Sequence, residues 1–257
     1  MLALVGGLHC SSSEPGVSVD IGVSHHLGDD PEFEGVRYGD GDVRGLTNAA
    51  GYGVVLHEAY VVMSAFELVP CPESRAEAAM RWLLGASVAH AHSGGSARVL
   101  GVPHVLDLMA RDRSLLAQAT MEPPPGAYCE VRVEIAPADA DAVGLPDDVD
   151  MVGTSLHLAG SFVAPGTQRS VDFELRSDLT RDGRLEFQRA AQGGGGVELS
   201  EPGMPRELRL DLHYGGLFEE VEFDLQGLAD QEFFVITNLL QSMAVIVCDG
   251  GEHCAMP

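Results

Sequence analysis

The sequence predicts a mainly β protein, an antiparallel β-sandwich of about eight to ten short strands. Three observations predict it. Many segments alternate apolar and polar residues with period two, as half-buried strands do. Turn-forming clusters of Gly, Pro and Asp separate these segments. The 257 residues, 45% of them hydrophobic, suffice for one core. We therefore expect residues 17–257 to form a single β-sandwich domain, preceded by a signal-peptide remnant and tether over residues 1–16.

The expected strands follow one another along the chain with turn signals between them. They are 17–23, 54–69 (one long strand or two joined by a bend), 104–109, 127–135, 154–163, 170–176, 184–189, 207–214 and 244–247. Segment 207–214 shows the alternation well, because its leucines should face inward and its polar residues outward. The inward set is Leu208, Leu210 and Leu212, and the outward set is Arg209, Asp211 and His213.

Two segments have helical spacing rather than alternation. Residues 73–84 have the composition of a short helix, and residues 230–243 carry apolar side chains at helical intervals with Asp230 as the expected N-cap. Residues 28–53, rich in Gly and Asp, are predicted to be a long loop.

The charge restricts the partners. The formal net charge is −24, and all 15 basic residues are arginine. Such a chain cannot neutralise a phosphate backbone or dock on anionic lipid heads, so nucleic acid is excluded and membrane contact is expected only through a lipid anchor. An acidic surface instead raises the local concentration of cations.

The N-terminal segment indicates export. Residues 1–8 form an apolar run too short to span a bilayer, similar to the end of a secretory signal peptide. Cys10, followed by three serines, resembles the first residue of a bacterial lipoprotein, but His9 stands where a lipobox has a small residue. Both a lipidated and an unmodified Cys10 stay open. The expected location is the periplasm or the cell surface.

The other four cysteines predict disulfides, because an exported protein with an even number of cysteines commonly pairs them. Cys248 and Cys254 flank a turn-rich loop that could close a small ring, and Cys71 and Cys129 lie near strand ends and would pair across the fold. Three connectivities are open for four cysteines. A zinc ribbon is disfavoured because no Cys-x-x-Cys pair is present.

The clearest sign of chemistry is a group of histidines. His90 and His92 have His-x-His spacing, which places both imidazoles on one side of an extended segment. His104 would return beside them if the glycines at 94 and 95 form a hairpin turn, and His57 is a candidate fourth ligand. Neutral imidazoles suit zinc and copper, so these residues are the predicted metal ligands.

Other polar clusters are interpreted more simply. His25 and His26, near Asp29 and Asp30, should point to opposite faces of a strand and are not expected to share a metal. His157 is expected on the surface. The acidic stretch 139–150 lacks EF-hand spacing and is predicted to be a solvated loop rather than a calcium site.

Several segments resemble uncharacterised secreted bacterial domains and lipoproteins. They are GYGVVLHEAYVVMSAFEL, VPHVLDLM, PPPGAYCEVRVEIAP and DVDMVGTSLHLAGSF. More remotely, the layout is similar to copper-associated surface proteins of methane-oxidising bacteria and to methanobactin-linked periplasmic partner proteins. That resemblance implies histidine-bound copper and an oxidised tryptophan, for which Trp82 is the sole candidate here. A helix-packing role is the simpler interpretation of Trp82.

The sequence thus predicts an exported, envelope-associated protein that binds copper or zinc for capture or delivery, with a periplasmic or surface protein as a second partner. A disulfide-stapled surface module without metal is the alternative. A hydrolase is the third, although the chain has no Gly-x-Ser-x-Gly, P-loop, His-Glu-x-x-His or dinucleotide motif.

Overall fold

A computed structural model describes residues 16–26, 44–72, 98–188, 196–200, 206–223 and 231–248. Within these ranges the chain is mainly β, as predicted, with thirteen strands and one helix. The strands are β1 (Val19–His26), β2 (Arg44–Thr47), β3 (Gly53–Pro70), β4 (Val99–Leu100), β5 (His104–Asp107), β6 (Leu115–Met121), β7 (Gly126–Ile135), β8 (Leu156–Val163), β9 (Ser170–Ser177), β10 (Arg181–Gln188), β11 (Val197–Leu199), β12 (Arg206–His213) and β13 (Met243–Cys248). The helix α1 spans Glu232–Gln241.

The described strands join one mixed sheet. Its main path runs β6-β1-β12-β13-β10-β7-β3-β8-β9, with β2, β4 and β5 on β3 and β11 on β7. β1 is parallel to β12 and β10 is parallel to β13, while the other pairs are antiparallel. The prediction of a purely antiparallel fold is therefore wrong, because strands distant in sequence meet side by side in the same direction. The two stacked sheets of a sandwich are not confirmed, since a single hydrogen-bonded path connects these strands.

The sheet curls around a large hydrophobic core that includes side chains from both ends of the described chain, and a smaller apolar cluster lies around Val62 and Met151. Phe223 lies at an aromatic centre of this core, with its ring centroid 4.9 Å from that of Phe162, 5.2 Å from Phe218, 5.5 Å from Phe173 and 5.6 Å from Tyr52. Helix α1 adds four apolar side chains to the same core. They are Val235, Ile236, Leu239 and Leu240.

Strand β3 pairs with five other strands of the sheet. It is one continuous strand of 18 residues, which decides between the two predicted alternatives. Its first half pairs with β2 and β8, its middle with β5, and its second half with β4 and β7. The register against β8 shifts between Leu56 and Glu58, which leaves His57 at a bulge.

The structure also differs from the sequence prediction in detail. β2 lies inside the predicted loop 28–53, and β4, β6 and β11 were not predicted. The predicted C-terminal helix is confirmed, but its N-cap is Gln231 rather than Asp230. The predicted helix 73–84 and the N-terminal segment 1–15 lie outside the described residues. Of the helical residues described, none belongs to a helix long and apolar enough to cross a membrane.

Candidate metal site

The parallel pairing of β1 with β12 brings together polar side chains that are far apart in sequence. His26 is in register with His213, and Ser24 is in register with Asp211, 187 residues away. Because side chains two apart on a strand share a face, all four lie on the same face of the sheet. On the opposite face, Leu208, Leu210 and Leu212 are fully buried, as predicted.

Asp211 is the centre of this group. Its Oδ2 atom lies 3.3 Å from Nε2 of His26 and 3.6 Å from Nε2 of His213. The two imidazole rings are 4.0 Å apart between centroids. His26 and Asp211 are buried, whereas the side chain of His213 is 44% exposed. The group therefore has a buried floor and one side open to solvent.

The electrostatics keep Asp211 ionised. Burial alone would raise the pKa of its carboxyl group. The nearby imidazole of His213, the charge of His26 and the hydrogen bond from Ser24 act in the other direction and bring the pKa below its usual value. The group thus presents a carboxylate to two imidazoles at neutral pH.

The spacing of these atoms suits a transition metal. One ligand atom from each of His26, Asp211 and His213 lies within 4.8 Å of the other two. Zinc–nitrogen and zinc–oxygen bonds of 2.0–2.2 Å in a tetrahedron place neighbouring ligand atoms about 3.4 Å apart. The two histidine-to-carboxylate distances already match that value, so only small side-chain movements would be needed.

A second polar network holds the same two strands from the opposite face. His25 Nε2 donates to the carbonyl of Ala110 at 3.0 Å, and the Tyr214 hydroxyl donates to Asp112 at 2.8 Å. Arg44 forms an ion pair with Asp112 at 3.3 Å and also donates to Ala110. This network thus fixes the residues next to the candidate ligands, His25 beside His26 and Tyr214 beside His213.

The ligand set predicted from sequence is described only in part. His90, His92 and Trp82 lie outside the described residues. His57 is exposed at the bulge of β3, and His104 is buried on β5 opposite Met63. Since Met63 is six residues from His57, or about 20 Å along a strand, the structure does not bring His57 and His104 together. Burial lowers the pKa of His104.

The predicted disulfide between Cys71 and Cys129 is confirmed. It joins the end of β3 to β7, where the Cys71 amide also donates to the carbonyl of Ala127. Cys248 is disulfide-bonded as well. Its proposed partner Cys254 and the predicted lipidation site Cys10 lie outside the described residues.

The structure contradicts the interpretation of His157 as a surface residue. His157 is not a surface residue but is 3% exposed, because Glu58 and Glu174 from the neighbouring strands flank its ring at 3.0 and 3.9 Å. His25 and His26 are consecutive residues of β1 and point to opposite faces, as predicted. Both are buried, and His26 joins a polar cluster that the sequence did not indicate. The acidic loop remains a loop, in which Asp139 and Asp150 accept hydrogen bonds from nearby backbone amides.

Comparison with known proteins adds a remote structural likeness to this description. The chain matches no protein-family model and no curated protein sequence. Among solved structures it is similar to MbnP from Methylosinus trichosporium, with 11% sequence identity and a TM-score of 0.32, over 76% of this chain and 75% of that one. We draw no functional conclusion from a likeness of this size.

Proposed function

We propose that this protein binds a divalent transition metal, copper or zinc, through His26, Asp211 and His213, for capture or delivery outside the cytoplasm. The observation that supports this proposal best is the position of one ionised, buried carboxylate oxygen between two imidazole nitrogens, at 3.3 and 3.6 Å. Two histidines and a carboxylate are ligands that zinc, copper and iron all accept.

The surroundings favour a metal that enters and leaves. His213 is half exposed, so a cation can reach the group without opening the core. Three protein ligands leave a fourth position for water or for an acceptor's ligand, unlike the four protein ligands of a closed structural zinc site. The net charge of −24 attracts cations to the protein surface.

The compartment remains part of the proposal. A disulfide such as Cys71–Cys129 persists in oxidising compartments and is rare in the cytosol. It supports export to the periplasm or cell surface, where a partner protein would receive or supply the metal. A lipid anchor at Cys10 is a separate prediction, which mass spectrometry of the exported protein tests directly.

A competing location for the same function is the ligand set predicted from sequence, His90, His92 and His104. It would use the same metals and predicts the same stoichiometry. Only substitution of individual ligands separates the two locations.

The deciding experiment measures zinc and copper binding by tag-free protein that has first been stripped with a chelator. Isothermal titration and elemental analysis should give one tightly bound ion per chain. The His213→Ala variant should bind more than 100-fold more weakly, because loss of even an outer-shell partner costs about 10–100-fold in affinity. His57→Ala removes an exposed histidine on β3, a strand separated from β12 by β13, β10 and β7 in the sheet, and is the matched control.

The outcomes are distinct. Full binding by His213→Ala, with loss of binding in a His90→Ala/His92→Ala variant, would place the metal at the competing location. Failure of the wild-type protein to take up either metal at micromolar concentration would overturn the metal proposal and leave the disulfide-stapled surface module.

A further inference from the structure

Ser24 is the fourth polar side chain on the face that carries the candidate ligands. It is fully buried on β1, directly opposite Asp211 in the parallel register. Its hydroxyl donates a hydrogen bond to Oδ1 of Asp211 at 3.0 Å. Both histidines approach the other oxygen, Oδ2. The two oxygens of one carboxylate therefore have separate partners.

We propose that Ser24 is a positioning residue that makes Asp211 a one-oxygen metal ligand. This inference rests on the proposed function of the site. A hydroxyl that holds one carboxylate oxygen opposes the rotation that would offer both oxygens to the same ion. Ligating carboxylates are commonly oriented by such hydrogen bonds, which fix the direction of the coordinating lone pair.

The consequence is a preference among cations. One carboxylate oxygen and two imidazole nitrogens favour a small, four-coordinate ion such as Zn²⁺. Ca²⁺ takes six to eight oxygen ligands and often a bidentate carboxylate, which this arrangement does not provide. Ser24 thus acts on selectivity as well as on affinity.

The test compares Ser24→Ala with Ser155→Ala. Ser155 is equally buried and also donates one hydrogen bond, to the carbonyl of Ser177 at 3.0 Å, so it matches the cost of removing a buried hydroxyl. Ser24→Ala should weaken Zn²⁺ binding by about 10–100-fold, and Ser155→Ala should leave it unchanged. Ser24→Thr keeps the hydroxyl and should restore binding.

Co²⁺ provides a second readout that a purely structural role would not change. Its visible absorption is intense in four-coordinate sites and weak in sites of higher coordination. The wild-type protein and Ser24→Thr should show the intense spectrum, and Ser24→Ala the weaker one, because the freed carboxylate can bind through both oxygens.

Equal Zn²⁺ affinity and equal Co²⁺ spectra in wild-type protein and Ser24→Ala would overturn this inference while leaving the metal site intact. Loss of affinity in Ser155→Ala as large as that in Ser24→Ala would also overturn it, since the effect would then come from weakened packing. No binding by the wild-type protein would instead be a failure of the proposed function.

Discussion

Removal of the Cys71–Cys129 disulfide should destabilise the protein mainly through its unfolded state. The two cysteines join β3 to β7, which are already hydrogen-bonded neighbours in the sheet. The native strands therefore stay paired when the covalent bond is absent. The unfolded chain, in contrast, gains the freedom of a loop whose ends are 58 residues apart in sequence.

The size of the effect follows from that separation. In the chain-entropy treatment, a cross-link closing a loop of 58 residues removes about 14 cal/mol/K from the unfolded state, or about 4 kcal/mol at 25 °C. The free energy of unfolding of Cys71→Ala/Cys129→Ala should fall by about this amount. Its dependence on urea should become steeper, because a chain without the cross-link exposes more surface on unfolding.

Urea titration followed by circular dichroism, under non-reducing conditions that keep the Cys248 disulfide, measures both quantities. A loss below about 1 kcal/mol with an unchanged urea dependence would refute the reasoning, since it would mean that the cross-link hardly restricts the unfolded chain.

Three further predictions concern the core and the titrating groups. Phe223→Ala should cost about 3–5 kcal/mol in urea unfolding, because it empties the centre of the aromatic cluster, whereas Phe233→Ala, at a side chain that is 40% exposed, should cost below about 1 kcal/mol. His104 has a lowered pKa in the folded state, so the unfolded chain binds a proton at this residue more readily, and stability should fall as the pH drops from 7 to 5. In thermal denaturation, the stability of His104→Gln should fall less steeply over the same range. An equal slope in both proteins would contradict a lowered pKa of His104. Asp211 also has a lowered pKa, so its contribution should be complete above its unfolded value of about 4 and should vanish as the pH falls through the lower folded value; acid titration of Asp211→Asn should lack this component.

The strands were predictable where the pattern that defines them is local. β7 and β12 alternate in sequence, and Val131, Val133 and Ile135 of β7 are buried as expected, as are the leucines of β12; Tyr128, expected on the exposed face, is buried as well. β2 is a four-residue strand in a Gly- and Asp-rich stretch, and β6 carries too few polar residues to alternate. The parallel pairs β1–β12 and β10–β13 depend on contacts between distant segments, which no local period encodes.

The sequence predicted only part of the candidate site. Alternation placed Asp211 and His213 together on the polar face of their strand. The strand at the N-terminus was expected to end at residue 23, whereas β1 continues to His26 and carries it into the sheet. His-x-His spacing favours ligands supplied by one segment, while this group takes one imidazole from each of two strands. The signal that was missing is the register between β1 and β12.

That register also determines when the site can exist. Ser24 and Asp211 are 187 residues apart, so no partial chain that lacks residues 206–213 contains the group. Such long-range parallel pairing forms slowly, because a long loop must close, at a cost in chain entropy, before its contacts are made. Free metal at a concentration of 100 times its dissociation constant would add about 2.7 kcal/mol to the free energy of unfolding. Bound metal would therefore stabilise the pairing of β1 with β12. Because the site exists only when these strands are paired, metal binding would show that this part of the fold has formed.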